Sequence, residues 1–180
     1  MEMYFVALVA PEQINEQVMK WKRWMLEKYQ CQVALKSPAH ITLIPPFWMQ
    51  QELETELLHS IDEFSSLQNP FPIQLLNFSN FKPRVLFVHV EKNEVLTDLK
   101  NKLESFLIQK EKFRLTKEDR GFHPHVTIAT RDLRKKAFYE AWEHFKKIEF
   151  TAEWLAKDIS VLKHNKKNWD VINTSQLQSV

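Results

Sequence analysis

The sequence predicts two αβ lobes within one chain, on three observations. Short apolar runs bounded by turn residues alternate with amphipathic helical stretches along the whole length. The order helix, strand, helix, strands occurs twice, once in each half of about ninety residues. Each half also carries a His-x-Thr group inside an apolar strand: His40-Ile41-Thr42-Leu43 in one and His125-Val126-Thr127-Ile128 in the other.

The elements follow in order. Residues 3–10, "MYFVALVA", form a compact apolar run closed by Pro11 and read as a buried strand. A helix opens at Pro11 and runs to Tyr29, with apolar residues at 14, 18, 21, 24, 25 and 29 on one face. "CQVAL" (31–35) and "HITLIPPF" (40–47) read as two strands joined by the turn-like "KSPA". Residues 50–67 are an amphipathic helix, and 71–81 and 84–90 are strands connected in the manner of a hairpin. In the second half, 93–110 form a helix, "FHPHVTIAT" (122–130) a strand and 131–147 a helix; three short strands, 148–155, 158–164 and 168–175, close the chain.

Composition narrows the function classes. A chain of 180 residues with 44% hydrophobic and 27% charged residues has enough apolar side chains for a real core. A net charge of +2 provides no global basic field for coating nucleic acid. Cys31 is the single cysteine, which excludes an intramolecular disulfide and a cysteine-cluster zinc site and fits a reducing, cytoplasmic compartment. No signal peptide or membrane helix is expected, because no apolar run is long enough. Gly121 is the single glycine, so glycine-rich phosphate loops are excluded. Phosphate must be bound by side chains or helix ends.

On a strand, residues two apart share a face and lie about 6.5–7 Å apart. His40 and Thr42 therefore project together, as do His125 and Thr127, while Ile41 and Val126 face the other way. Imidazole gives or takes a proton near neutral pH, and a threonine hydroxyl donates to a phosphate oxygen. Two such pairs facing one bound group form a metal-free site for in-line displacement at phosphorus. One histidine is general base, the other general acid, and the threonines hold the non-bridging oxygens. Which histidine takes which role stays open at this point.

"HITL" and "HVTI" resemble the paired His-x-Thr/Ser-x signature of the two-histidine phosphoesterase superfamily, which includes bacterial 2′-5′ RNA ligases and 2′,3′-cyclic nucleotide phosphodiesterases. "FHPHVTIAT" is similar to the second motif of that group, and the element order agrees along nearly the whole chain. The resemblance implies a bilobal, pseudo-symmetric α+β fold with an antiparallel sheet and flanking helices in each lobe and the active-site cleft between them. Residues 1–180 then form one bilobal phosphoesterase domain of two interleaved lobes. It also implies His40 and His125 as the acid–base pair, Thr42 and Thr127 as phosphate-binding hydroxyls, and no cofactor. The expected substrate is an RNA end or nucleotide bearing a 2′,3′-cyclic phosphate, opened by hydrolysis or used in 2′-5′ ligation; the protein is expected to be a monomer. "HITL" departs from the ligase branch by running into Pro45-Pro46, which stiffens the chain before Phe47 and Trp48.

Further candidates carry two readings each. His123, two residues before His125, is a third cleft histidine or a residue capping the strand entry. His40, His123 and His125 together could instead ligate zinc; a non-catalytic nucleotide- or RNA-binding module is the remaining alternative. Arg84, Arg131, Lys36 and Arg120 bracket the key strands as phosphate contacts or as solvated charges. Phe47, Trp48 and Phe81 stack on a base or pack into the core. His89 reads as a sheet histidine, and His59, His144 and His164 as surface.

Overall fold

The computed structural model describes residues 1–117 and 121–178. Eight strands and four α-helices follow the order β1 (Glu2–Val9), α1 (Glu12–Tyr29), β2 (His40–Met49), α2 (Glu54–Ser65), β3 (Phe71–Phe81), β4 (Val85–Val90), α3 (Glu94–Gln109), β5 (His125–Ala129), α4 (Lys135–Phe145), β6 (Thr151–Ala156), β7 (Asp158–His164) and β8 (Trp169–Gln176). The strands form one antiparallel sheet in the order β6-β3-β4-β5-β2-β1-β7-β8. Among the described residues its two halves, β6-β3-β4-β5 and β2-β1-β7-β8, meet at a single matched pair, Ile41 opposite Val126. The α+β class and the antiparallel sheets are as expected from the sequence.

The halves are interleaved in the chain. β1 and β2 come from the N-terminal half, but their sheet is completed by β7 and β8 from the C-terminal end, through Val6 opposite Val161 and the neighbouring pairs. β3 and β4, which lie between the two motifs in sequence, pair with β5 and β6. Each motif strand is thereby the innermost strand of its own half.

One face of the sheet carries the core. Tyr4, Val6 and Leu8 of β1, Ile41 and Leu43 of β2, and Val126 and Ile128 of β5 are all buried in one apolar cluster. The helices supply the other side of that cluster, among them Val18 and Met25 of α1, Leu57 and Ile61 of α2, Leu99 and Leu103 of α3, and Phe138 and Phe145 of α4. On β1 the alternate residues Phe5 and Ala7 join Leu162 of β7 in a second, small cluster with Val9 and Trp169. The apolar/polar alternation of β1 and β2 thus separates a thick core from a thin floor on the opposite face.

Three local expectations are corrected. Residues 31–35 do not form a strand: α1 ends with Gln30 in the left-handed region (φ 62°), and a 3-10 turn follows at Val33–Lys36. The cause is distant in sequence, since the Asp132 carboxylate accepts the backbone N–H of Gln32 (2.5 Å) and of Val33 (3.0 Å), removing those donors from any ladder. The helix expected over 131–147 begins only at Lys135, because Leu133 N–H bonds to Thr130 C=O (2.6 Å) and closes a tight turn first. β5 is likewise shorter than 122–130 and begins at His125.

Ile41 is fully buried at the matched position between the two sheet halves. Ile41→Ala is expected to cost about 2–5 kcal/mol through loss of buried methyl groups and a residual cavity. Arg84→Ala, at an exposed turn, is expected to stay within about 0.5 kcal/mol of wild type. Urea denaturation followed by circular dichroism measures both.

Candidate active site

Because Ile41 and Val126 are matched and both face the core, their neighbours face the other way. Antiparallel register carried one residue in each direction sets His40 opposite Thr127 and Thr42 opposite His125. The two histidines are then diagonal partners, about 7–8 Å apart at Cα. All four side chains are half-buried. A cavity of about 200 Å³ opens over three of them, His40, Thr42 and Thr127, and is lined also by Arg131, Phe5 and Trp169 among others. His125 does not line that cavity; its ring rests against Phe87 (4.9 Å) and edge-on against Phe81 (5.2 Å, 89°). His40 has its own aromatic support in Phe5 (4.8 Å), itself braced by Trp169 (4.6 Å).

The two histidines are oriented by the same device. His40 Nδ1 lies 2.7 Å from the carbonyl of Pro38, and His125 Nδ1 lies 2.6 Å from the carbonyl of His123. A carbonyl oxygen only accepts, so in each ring Nδ1 carries the proton and donates. Neutral imidazole then has its lone pair on Nε2, the tautomer needed for a base with that atom free. Burial pushes the His40 pKa down to about 4; the carbonyl bond from Pro38 opposes this, and the nearby Lys22 and His125 lower it further. His125 is also lowered, chiefly by desolvation and also by His123, against the bond to the His123 carbonyl. Both rings are held neutral in the absence of an anion.

Lys22 of α1 also lines the cavity and is 2% exposed. Its Nζ donates to the Ser37 carbonyl at 2.9 Å, one residue before the Pro38 carbonyl that holds His40. Desolvation lowers its pKa to about 8. The segment carrying these carbonyls is anchored by Asp132, which follows the second motif strand, so the surroundings of His40 and of Thr127 are tied together. Arg131 stands between the cavity and a wider groove of about 860 Å³ bordered by Lys28, Arg134 and Lys136.

The structure places the remaining candidates as follows. His123 is exposed, contributes its carbonyl to His125 and has its ring 6.2 Å from Phe81. Phe47 is not brought to the histidines: it packs with Tyr4 (6.2 Å) and lines a separate cavity with Arg114. Phe47 stands opposite the buried Tyr4 in the β1–β2 register, which places it on the core face. Arg84 is exposed in the β3–β4 turn and does not line the cavity; Lys36 is exposed at the end of the 3-10 turn; Trp48 lies exposed by a different pocket; Arg120 lies outside the described residues. His89 is half-buried beside Glu91 (3.6 Å). His59 and His144 are exposed, and His164 is half-buried against Trp169 (4.9 Å). Among the described residues no three His, Cys, Asp or Glu side chains converge as a metal would require, so the His40, His123 and His125 ligand set is not assembled.

Sequence reasoning missed Lys22, Phe5 and Trp169. The signal for Lys22 was present: Ile14, Val18, Lys22 and Met25 form a continuous i, i+4, i+8, i+11 stripe, and all four are buried.

Residues 10–168 match the family model of the 2′-5′ RNA ligase superfamily. A "Putative phosphoesterase" of Geobacillus kaustophilus is 28% identical over 145 residues, covering 79% of this chain and 77% of the relative. A second protein of that name, from Bacillus cereus, is 33% identical over 93 residues, 51% of each chain. The fold is similar to TT0787 of Thermus thermophilus (TM-score 0.71, 19% identity, 98% of both chains). It is also similar to E. coli LigT complexed with 3′-AMP (TM-score 0.67, 18% identity, 99% of both chains).

The depressed His40 pKa has a consequence for stability. An unfolded chain binds a proton on this ring below about pH 6.5, whereas the folded chain resists until about 4. The native state therefore loses stability as pH falls through that window, with no further loss from this group below it. His40→Gln is expected to flatten the fall in melting temperature between pH 6.5 and 4, measured by calorimetry; an unchanged slope would refute the assignment.

Proposed function

The chain belongs to the 2′-5′ RNA ligase superfamily, and from that premise we propose that it opens 2′,3′-cyclic phosphates on RNA ends or nucleotides by proton transfer through His40 and His125. The observation that carries this reading is the matched pair of Nδ1–carbonyl bonds, which leaves two Nε2 atoms available on diagonal positions of one sheet face. A structural histidine in a sheet needs no such repetition, and acid–base chemistry on one phosphate does.

In this mechanism the cyclic phosphate sits over Thr42 and Thr127, whose hydroxyls donate to the non-bridging oxygens. His40, the more enclosed ring and the one beside Lys22, is the base: its Nε2 takes a proton from water as the water oxygen bonds to phosphorus. On the opposite side the P–O bond to the ribose breaks, and that oxygen takes the proton of His125 Nε2. His125 enters the reaction protonated, because the bound phosphate's negative charge raises a pKa that the empty site depresses. The products are a ribose hydroxyl and an opened phosphomonoester, and a second proton exchange with solvent restores both rings. With a ribose hydroxyl in place of water, the same steps form a 2′-5′ bond.

Arg131 and His123 serve as substrate contacts at the mouth of the cleft, and Phe81 offers an exposed aromatic face beside His125. Phe47, packed with Tyr4 and lining a separate cavity, takes no part. The groove beyond Arg131, where Lys28, Arg134 and Lys136 outnumber Asp132 and Glu140, suits the phosphates of a longer RNA strand.

The test is hydrolysis of 2′,3′-cyclic AMP and of an oligonucleotide with a cyclic-phosphate end, in excess chelator. His40→Ala and His125→Ala are each expected to lower kcat by about 10²–10⁴-fold. Full activity in either variant, or no turnover of either substrate by wild type, would overturn the reading. Since kcat/KM reports the free enzyme, its acid limb is expected near the His40 value of about 4 rather than near 6.5, with activity lost as pH falls through it.

A further inference from the structure

The described residues include two lysines that are almost wholly enclosed, Lys22 and Lys100. Lys100 is neutralised by Glu104 at 2.9 Å, and the partly enclosed Lys163 by Glu54 at 2.5 Å. Lys22 has no such partner among the described residues. Its one hydrogen bond goes to a neutral acceptor, the Ser37 carbonyl, which uses one of the three N–H bonds of an ammonium. An ammonium buried without a counter-ion is destabilising, and an unbranched apolar side chain at the same place in the α1 stripe is not. The lowered pKa, about 8, is in keeping with this desolvation and still leaves the group charged at neutral pH.

The surroundings say which charge is missing. Lys22 lines the same cavity as His40, Thr42, Thr127 and Arg131, groups that donate hydrogen bonds or carry positive charge. Among the described residues that line it, none is an Asp or a Glu. We propose that Lys22 is the fixed counter-ion of the cleft: a phosphate-binding residue, kept at a cost in stability, which finds no carboxylate among the described residues and whose burial is completed when the substrate's phosphoryl group enters. This rests on the phosphodiester reading above and adds to it a binding residue that neither motif contains. It also gives the two motif strands unequal surroundings. The ammonium stands beside His40 and helps to keep that ring unprotonated, while its attraction for the phosphate grows as negative charge builds on the oxygens.

Inorganic phosphate is a sufficient probe, used with Lys22→Met, which keeps the chain's length and removes the charge, and Lys22→Gln, which retains a donor for Ser37. Thermal melts without phosphate are expected to place Lys22→Met above wild type. Titration calorimetry is expected to show phosphate affinity reduced about 10- to 100-fold in both variants. On a cyclic phosphate, kcat/KM is expected to fall in both. Equal phosphate affinity in wild type and variants would overturn the role of Lys22 and leave the phosphodiester reading standing. Turnover of cyclic phosphate by wild type without any phosphate binding would do the same. Absence of both binding and turnover in wild type would overturn the two together. A Lys22→Met protein that melts below wild type, with Lys22→Gln unchanged in affinity, would show the ammonium to be a structural tether to Ser37.

Discussion

The pairing of Ile41 with Val126 is the constraint on which the site depends. Both side chains are committed to the core, and a strand offers alternate residues no choice of face. Once the two aliphatics are packed, two histidines and two threonines must project together from the opposite side. A slip of one residue in either strand would bury that strand's histidine and threonine against α-helices and expose its two branched aliphatics. The hydrophobic effect therefore sets the geometry of the proton-transfer groups, although none of those groups is hydrophobic.

What surrounds that pairing makes the two motifs alike in orientation and different in environment. The carbonyl two residues before each histidine fixes its tautomer in the same way. The neighbours then diverge: His40 has Phe5, Trp169 and the Lys22 ammonium, whereas His125 has Phe81, Phe87 and the exposed His123. A site that must hold one ring as base and the other as acid needs equal aim and unequal electrostatics. The common backbone device supplies the first, and the non-equivalent neighbours supply the second.

The helices, most strands and the two motifs were readable from periodicity because they are local features. Features set by distant partners were not. Cys31 to Leu35 has the residues of a strand but loses the amides of Gln32 and Val33 to Asp132, about a hundred residues away, and nothing within the segment announces this. Phe47 is close to His40 in sequence, but its register opposite Tyr4 puts it on the core face, past two irregularities of β2 that the sequence does not announce. A lysine in an amphipathic helix is ordinarily solvent-facing, and only the place of Lys22 in the buried stripe of α1 says otherwise. Trp169 comes from a strand that joins β1 and β2 only through tertiary pairing, and no spacing in the sequence links it to His40.

That last arrangement has a consequence for how the protein comes into being. β1 and β2 are made early, but β7 and β8, which finish their side of the sheet and bring Trp169 to the cavity wall, are the last of the eight strands to be synthesised. At a synthesis rate of about 5–20 residues per second, the strand bearing His40 must wait several seconds with its outer neighbours missing. High contact order is built into the topology, and no fragment that stops short of β7 contains a finished half of the sheet around His40. A nascent chain therefore has no completed cleft until β8 has left the ribosome.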